Sequence, residues 1–506
     1  MRVSPFVCFL LLAATPFLSA KENPPEKDGA AESGASEKQK PLDLPEPVTR
    51  EASVTIDGKK IPYEVTVGKL PLKADDGKAR ASVFHAYYRR TDVKDAATRP
   101  VMFAFNGGPG SSAVWLHIGV LGPKIVDLPG DGTQAPEPPA RVVDNPLSVL
   151  DACDLVFVDP VSTGYSRAEN NTKPGEFHSL DSDIESVGDF VRRWITENDR
   201  WSSPKYLLGE SYGGIRVAGL AQHLQSRYGM SINGVVLLST LLDFATLQDA
   251  PGNDLSYEVF LPSYTGTAHF HGKIQGDRDE LVKQSEAFAF GDYAAALLKG
   301  SSISAEEKQS IAAKLESFTG IPAATWLSHD LRISPFFFRG ELLRDQGKVI
   351  GRFDARVAWD TTDPASPAPS YDPSYALAYG AFATGMLDYL GRELGYKEDQ
   401  PYEILTGKVQ PWRWDSENRV VNVSGRLATA MRDNPHLRIL VMGGYTDLAT
   451  PPAGVSYSMR HLPGMPESAR QRIRTTSYDG GHMFYLNPPD LKKTRVDLLE
   501  FLRNGE

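Results

Sequence analysis

Cysteine is almost absent from this chain of 506 residues, which contains only Cys8 and Cys153. If an N-terminal segment that includes Cys8 is removed, one thiol remains and no disulfide can form within the chain. Secreted eukaryotic proteins of this size usually carry several disulfides. The shortage of cysteine therefore favours an exported bacterial protein.

Basic residues do not outnumber acidic residues in this sequence. The chain has 54 lysines and arginines against 64 aspartates and glutamates, for a formal net charge of −10, so it has no electrostatic footprint for nucleic acid. The HExxH and CxxC patterns of zinc sites do not occur in the sequence. We therefore expect no nucleic-acid partner, no metal and no organic cofactor.

The apolar run at the N-terminus, Val7–Leu18, is too short to span a bilayer comfortably. It follows the basic start Met1-Arg2 and precedes the small residues Ser19-Ala20, which is the pattern of a secretory signal over residues 1–20. An N-terminal membrane anchor is the alternative interpretation. The signal predicts a secreted or periplasmic protein with no stable membrane insertion after its removal.

Composition divides the rest of the chain into a linker, a core and an insertion. Residues 21–47 are rich in Pro, Gly, Ser, Glu and Lys, so they are predicted to be a disordered linker. From residue 48 onwards, apolar runs alternate with helix-like stretches, which predicts a mostly parallel sheet with helices on both faces. This alternation of apolar runs and helix-like stretches is interrupted between residues 243 and 370. We expect a core of residues 48–242 and 371–506 with a helical lid inserted at 243–370.

The turn Asp57-Gly58-Lys59 between alternating segments indicates a β-hairpin near the start of the core. Further strands are predicted at residues 100–106, 154–160, 205–210, 233–240 and 438–444, and helices at residues 181–197, 214–227, 280–298 and 304–318.

One predicted strand runs into the segment Gly209-Glu210-Ser211-Tyr212-Gly213-Gly214, and a helix-like stretch follows. In that context Ser211 occupies a sharp strand-to-helix turn that exposes its hydroxyl. A serine becomes a useful nucleophile only with a base that is itself oriented by an acid. Ser211 is therefore the candidate nucleophile of a hydrolase, and two partners have to be found.

Two later loops offer these partners. His482 follows two glycines that leave room for a substrate, and Asp447 comes three residues after the strand that ends at Gly444. The order Ser, Asp, His is that of the α/β-hydrolase fold. Asp479 and Asp243 remain alternatives to Asp447, and a structural histidine is the alternative reading of His482.

The glycine-rich loop Asn106–Ser112 follows an early strand and fits an oxyanion hole. In this fold one donor comes from such a loop and the other from the residue after the nucleophile. We assign these roles to the backbone N–H groups of Gly108 and Tyr212. The loop lacks the GxGxxG and Gly-Lys-Ser/Thr patterns of nucleotide sites, and a purely structural turn is the alternative.

Together these segments resemble the serine carboxypeptidase family. The resemblance rests on NGGPGSS at 106–112, VDPVSTGYS at 158–166, GESYGG at 209–214, GGYTDLATPP at 443–452 and GGHM at 480–483. It covers the chain from about residue 48 to the C-terminus. It implies an α/β-hydrolase fold and the release of C-terminal residues from peptides through an acyl-enzyme. The TDLATP form and the lack of disulfides are similar to the bacterial branch.

The resemblance also implies a site for the free carboxylate of the substrate. In the family the equivalents of Asn106, Gly107 and Glu210 bind this group, and a glutamate can do so only when it is protonated. The family's second glutamate is replaced by Val120, and a family tryptophan by Ala104. The carboxylate site is therefore expected to be incomplete.

This departure keeps other functions open. An esterase or acyltransferase would use the same triad, and a non-catalytic envelope binding protein would keep only the scaffold. The family resemblance implies peptide substrates and either a monomer or a homodimer. Aromatic residues of the insertion are expected either to line a pocket or to form its core: Tyr264, Phe270, Trp326 and Phe336–Phe338.

Overall fold

The computed structural model describes residues 44–169, 171–366 and 368–503. The predicted signal, residues 1–20, and most of the predicted linker, residues 21–47, lie outside the described residues. No helix in the described ranges combines the length and the apolar character needed to cross a membrane.

A sheet of ten strands forms the centre of the described structure, and two pairs of short strands lie outside it. The strands are β1 (Val48–Ile56), β2 (Lys59–Lys73), β3 (Ala79–Arg90), β4 (Val101–Phe105), β5 (Lys124–Val126), β6 (Val142–Asp144), β7 (Asp154–Val158), β8 (Arg167–Ala168), β9 (Lys205–Glu210), β10 (Gly234–Leu238), β11 (Lys348–Ile350), β12 (Ala358–Asp360), β13 (Arg438–Gly444) and β14 (Ile473–Tyr478). The order in the sheet is β1-β2-β3-β7-β4-β9-β10-β13-β14, and β8 pairs with β3.

The sheet is antiparallel at one end and parallel elsewhere. β1, β2, β3 and β7 pair antiparallel, whereas β7, β4, β9, β10, β13 and β14 pair parallel. The predicted hairpin is present: Ile56 pairs with Lys59 across Asp57 and Gly58, whose φ angles are 48° and 74°. Positive φ at both central residues gives the turn a twist that matches the flanking strands.

Helices cover both faces of this sheet and also form most of the segment between β10 and β12. They are α1 (Val114–Leu116), α2 (Leu180–Glu197), α3 (Tyr212–Tyr228), α4 (Leu255–Phe270), α5 (Arg278–Phe288), α6 (Ala294–Leu298), α7 (Ala305–Thr319), α8 (Ala323–Ser328), α9 (Pro335–Glu341), α10 (Pro373–Asp388), α11 (Ser424–Asp433), α12 (Pro452–Arg460), α13 (Glu467–Arg470) and α14 (Pro488–Arg503). Short π-helical segments occur at His117–Leu121, Ala289–Tyr293 and Tyr389–Leu394.

The two faces of the parallel strands belong to two different hydrophobic clusters. In β4, Met102 packs into the cluster that includes α1, α10 and α14, while Phe103 packs into the cluster that includes α2, α3 and α11. All five residues of β4 are buried, because a strand with helices on both sides has no solvent-facing side. This burial explains the unbroken apolar runs in the sequence.

The helices of the segment between β10 and β12 share a third hydrophobic cluster. Tyr264 and Trp326 are each 1% exposed and Phe338 is fully buried within it, so these three aromatic residues form core. Phe270 and Phe336, by contrast, are about half exposed. None of the five lines the cleft described below.

A buried ion cluster stabilises the sheet at the start of β7, a strand that lies between β3 and β4. Asp154 is fully buried and accepts hydrogen bonds from Nε of Arg99 at 2.9 Å and from Nη1 of Arg200 at 2.8 Å. Both arginines are themselves buried. Loss of the carboxylate would therefore leave two cations without their counter-ion in a region that water does not reach.

Asp154→Ala is expected to lower the free energy of unfolding by about 3–5 kcal/mol, as found when one partner of a buried ion pair is removed. Urea unfolding measures the change. Asp76→Ala is the control, because Asp76 and its partner Lys78 are both more than half exposed, and its unfolding should match the parent. Equal unfolding midpoints for the two variants would contradict this view of the cluster.

Candidate active site

Ser211 lies between the end of β9 and the start of α3, in a strained backbone conformation. Its φ is 59° and its ψ is −130°, a region that residues with a side chain rarely adopt. Its N–H is shared between the carbonyl oxygens of Leu238 and Ser239, each 3.1 Å away, and its own carbonyl accepts a hydrogen bond from Oγ1 of Thr240 at 2.6 Å. The neighbouring strand therefore holds the turn in place.

The two glycines that flank Ser211 are required by packing. A Cβ atom on Gly209 would lie 2.1 Å from the carbonyl oxygen of Gly213, and one on Gly213 would lie 2.4 Å from the carbonyl oxygen of Phe105. Neither position has room for a side chain. The GxSxG pattern is thus explained here by close backbone contacts across the turn.

His482 and Asp447 meet on the loops after β14 and β13. Nδ1 of His482 lies 2.9 Å from Oδ2 of Asp447, and both residues are buried. Oδ1 of Asp447 accepts the N–H groups of Ala449 at 2.7 Å and Thr450 at 2.9 Å, and Oγ1 of Thr450 lies 3.0 Å from Nδ1 of His482. The carboxylate is thereby fixed in the orientation that directs it at the imidazole.

The two alternatives to Asp447 have other partners. Asp479 is exposed and forms an ion pair with Arg278 at 2.5 Å. Asp243 accepts the N–H of Ala245 at 2.9 Å and so caps a short helical turn. The hydrogen bonds therefore favour Asp447 as the acid that orients His482.

The loop Gly351–Val357, between β11 and β12, supports the histidine and was not anticipated from the sequence. The N–H of His482 donates to the carbonyl oxygen of Phe353 at 2.5 Å, and the two rings are 5.1 Å apart. A Cβ atom on Gly481 would lie 2.2 Å from the same carbonyl oxygen. The sequence of this loop, GRFDARV, has the composition of an exposed charged loop, and no motif marks it as part of the site.

The glycine-rich loop contacts the turn at Ser211 directly. A Cβ atom on Gly107 would lie 2.4 Å from the backbone nitrogen of Tyr212. Gly108, with a φ of 100°, adopts a conformation that favours glycine. Tyr212 is the first residue of α3, so its N–H has no acceptor within the helix. The loop and the helix start thus bring together the two amides predicted to form an oxyanion hole.

A buried network lies beneath this contact. Oδ2 of Asp183 accepts hydrogen bonds from Nε of Arg216 at 2.8 Å and from the hydroxyl of Tyr212 at 3.0 Å. Nη1 of Arg216 donates to the carbonyl oxygen of Asn106 at 2.6 Å. The network therefore ties the glycine-rich loop and the start of α3 to α2.

These residues meet at one cleft. Six of the eight predicted site residues line it, namely Asn106, Gly107, Gly108, Glu210, Ser211 and His482. Asp447 and Tyr212 lie outside the lining, in contact with His482 and with the glycine-rich loop. Eight further residues complete the wall: Ser111, Trp115, Arg352, Phe353, Tyr375, Ala378, Leu405 and Met483.

The part of the chain that the structure describes contains no group of three His, Cys, Asp or Glu side chains suited to a metal ion.

Comparison with known proteins agrees with this arrangement. The model of the family described as serine carboxypeptidase matches residues 72–486 of the chain. The chain belongs to the serine carboxypeptidase family. Serine carboxypeptidase-like 1 of Arabidopsis thaliana is 25% identical to it over 197 residues, which is 37% of this chain and 42% of that protein. Serine carboxypeptidase-like 13 of the same plant is 23% identical over 236 residues, 46% of this chain and 49% of that protein.

The matched part of the chain thus spans less than half the length of each of these two relatives. Among solved structures, the chain is similar to Kex1(delta)p, a prohormone-processing carboxypeptidase from Saccharomyces cerevisiae. The TM-score is 0.54 at 16% identity, over 87% of this chain and 91% of that one. This likeness and the sheet described above confirm the predicted α/β-hydrolase fold.

Within this family member, Glu210 occupies an apolar, enclosed position beside Ser211. It is 3% exposed, and its Oε2 accepts a hydrogen bond from the hydroxyl of Tyr485 at 2.8 Å. Burial raises the pKa of Glu210 to about 7, against the lowering effects of His482 and of hydrogen bonds from Tyr485 and Asn106. Glu210 is therefore a carboxylic acid that is largely neutral at mildly acidic pH and ionises as the pH rises through its pKa of about 7.

The two departures from the family pattern are both buried and apolar. Val120 is 3% exposed in the π-helical segment His117–Leu121, and Ala104 is fully buried in β4. Among the described residues that line the cleft, Glu210 is the one carboxylic acid. No other described residue of the cleft lining therefore supplies a carboxylic acid in place of the glutamate that is missing at residue 120.

Gly107→Ala is expected to slow the reaction of Ser211 with a fluorophosphonate about 100-fold or more, the range seen when one oxyanion-hole donor is lost. The physical reason is the new Cβ atom, which would push the loop away from the backbone nitrogen of Tyr212, 2.4 Å away. Gly425→Ala is the control, because a Cβ atom on Gly425 has no neighbour within 4 Å. A parental labelling rate for Gly107→Ala would refute the contact as an essential part of the site.

Proposed function

We propose that this chain is a serine carboxypeptidase that releases C-terminal residues from peptides through an acyl-enzyme. One observation carries the proposal: Ser211, His482 and the buried, protonatable Glu210 line the same cleft. The first two supply the chemistry of acyl transfer. The third supplies a reason to prefer a substrate that ends in a free carboxylate.

In the proposed mechanism, Oγ of Ser211 attacks the carbonyl carbon of the last peptide bond while His482 takes the hydroxyl proton. Asp447 holds Nδ1 of His482 and stabilises the imidazolium that forms. The N–H groups of Gly108 and Tyr212 stabilise the negative oxygen of the tetrahedral intermediate. His482 then gives its proton to the leaving amine, and the C-terminal amino acid departs.

The second half of the reaction repeats these roles with water. His482 takes a proton from a water molecule, which attacks the ester bond between the peptide and Ser211. Collapse of the second tetrahedral intermediate breaks that ester bond, and the proton returns from His482 to Oγ of Ser211. The shortened peptide is released with a new carboxylate.

The proposal assigns recognition of the free carboxylate to Asn106, Gly107 and Glu210. All three line the cleft beside Ser211. A neutral Glu210 can donate its proton to the substrate's carboxylate, whereas an ionised Glu210 would repel it. This assignment explains why a carboxylic acid is kept in an apolar position next to the nucleophile.

We further propose that residues 1–20 direct export of the protein to a secreted or periplasmic location.

We also propose that residues 243–370 act as a lid. Helices of this insertion share a hydrophobic cluster that is distinct from the two beside the central sheet and that also includes Leu448 and Ala453 of the core, which supports a lid packed against the core. The loop at residues 351–357 of this insertion contributes Arg352 and Phe353 to the cleft. The lid would therefore form part of the substrate site.

An esterase or acyltransferase is the second candidate, and Val120 favours it. With a single carboxylic acid in the cleft lining, preference for a free carboxylate rests on fewer contacts than in the family pattern. The same acyl-enzyme can react with alcohols or start from esters. A non-catalytic binding protein is disfavoured by the hydrogen bond between His482 and Asp447.

The two enzymatic candidates differ in their response to the end of the substrate. A carboxypeptidase should hydrolyse a blocked dipeptide acid about 10- to 100-fold better, in kcat/KM, than the matching C-terminal amide, since a hydrogen bond to a charged group contributes about 1.5–3 kcal/mol. Liquid chromatography of the released amino acid, or of the released amino-acid amide, measures the two rates. Ser211→Ala should lower both by at least about four orders of magnitude. Equal rates on acid and amide, with a matching ester cleaved faster, would favour the esterase.

The preference for the acid is expected to depend on pH through Glu210. The neutral form is the binding form, and it is lost as the pH rises through the pKa of about 7. The ratio of kcat/KM for the dipeptide acid to that for its amide should therefore fall above pH 7. In Glu210→Gln, a neutral donor that does not titrate replaces the acid, so the ratio should no longer fall there. A ratio that is independent of pH in the parent would contradict the assignment of Glu210.

A further inference from the structure

Tyr485 is a polar neighbour of Glu210 that lies outside the segments predicted to form the site. Its hydroxyl donates to Oε2 of Glu210 at 2.8 Å, and it is 1% exposed. It lies on the short helical turn Phe484–Leu486, three residues after His482. The sequence places it just beyond the GGHM motif, so no family pattern points to it.

Tyr485 also lies against the segment in which the second glutamate is missing. A Cβ atom on Gly119 would be 3.0 Å from Cε2 of Tyr485. Gly119 directly precedes Val120, and both belong to the π-helical segment His117–Leu121. The phenol ring thus packs against the residue that precedes the position where the family pattern has a carboxylic acid, and its hydroxyl donates to the carboxyl group of Glu210.

We infer that Tyr485 is a positioning residue that takes over the part of the second glutamate: its hydroxyl orients the carboxyl group of Glu210 so that the acid proton is directed at the substrate's terminal carboxylate. This inference rests on the proposed carboxypeptidase function and adds the residue that makes a single glutamate sufficient.

The hydrogen bonds at Glu210 support these two roles, in which Tyr485 orients the carboxyl group and Glu210 binds the substrate. Burial raises the pKa of the Tyr485 phenol well above 10, so the hydroxyl remains a neutral donor. Asn106 also hydrogen-bonds to Glu210, and its own Oδ1 accepts the N–H of Leu116 at 3.1 Å. The amide nitrogen of Asn106 is therefore the donor to Glu210. With two fixed donors already directed at Glu210, the proton of the neutral acid is left for a further acceptor.

The arrangement has a consequence for titration. Two carboxyl groups in contact share a proton and titrate in two coupled steps, whereas an acid beside a phenol loses one proton in one step. The titratable and charged groups near Glu210 are His482 and Asp447, on the loops after β14 and β13, and Arg352, which lines the same cleft from the insertion. The preference for a free carboxylate should accordingly be lost over a single-proton transition.

Tyr485→Phe tests the inference, since it removes the hydroxyl and keeps the ring against Gly119. At pH 6 it should raise KM for the dipeptide acid about 3- to 10-fold with kcat unchanged, which corresponds to the loss of one hydrogen bond. The C-terminal amide should be hydrolysed as by the parent. Because the phenol's hydrogen bond lowers the pKa of Glu210, the fall in the acid-to-amide ratio should move to higher pH. In a Glu210→Gln background, Tyr485→Phe should cause no such shift.

Tyr478→Phe is the matched control, because it removes another buried phenol–carboxylate hydrogen bond, from Tyr478 to Asp497 at 2.7 Å, away from the cleft lining. It should lower thermal stability to a similar extent and leave the pH profile unchanged. Equal losses on acid and amide in Tyr485→Phe, or an unmoved transition, would overturn the inference while the carboxypeptidase proposal stands. If the parent itself cleaves acid and amide equally, the carboxypeptidase proposal fails and the inference fails with it.

Discussion

Contact between two backbones, at the turn around Ser211 and at the loop Asn106–Ser112, is the constraint on which the site depends. The two segments follow neighbouring parallel strands, β9 and β4, so their C-terminal ends lie at the same edge of the sheet. Gly107 and Gly213 have no room for a side chain at this contact. Because the contact is so close, the amide of Tyr212 is held against the loop, and both lie next to Glu210 and Ser211.

The same constraint explains which parts of the site could be predicted from the sequence. Positions that require glycine leave short patterns in the sequence, and these patterns indicate Ser211, the loop at Asn106 and the approach to His482, which the structure brings to one cleft. Apolar runs likewise predicted the parallel strands, because strands buried on both faces carry little else. The strand ends then indicated where the loops would meet.

Contacts between distant segments left no comparable signal. Phe353 supports His482 from a loop between two short strands, and Tyr485 reaches Glu210 from a single helical turn. In each case one ordinary residue makes the contact, without periodicity or a required glycine. Arg352 at the cleft wall was missed for the same reason, because an arginine in a charged loop is usually exposed to solvent. Such residues emerge only when the fold brings their loops together.

We propose that a neutral Glu210, held by Tyr485 and Asn106, binds the free carboxylate of a peptide. Arg352 lines the same cleft and is the competing group for that anion. A crystal structure of Ser211→Ala with a bound peptide acid, grown below pH 6, distinguishes the two most directly. The terminal carboxylate is expected within hydrogen-bonding distance of Glu210 and Asn106. A carboxylate paired with Arg352 and remote from Glu210 would contradict it.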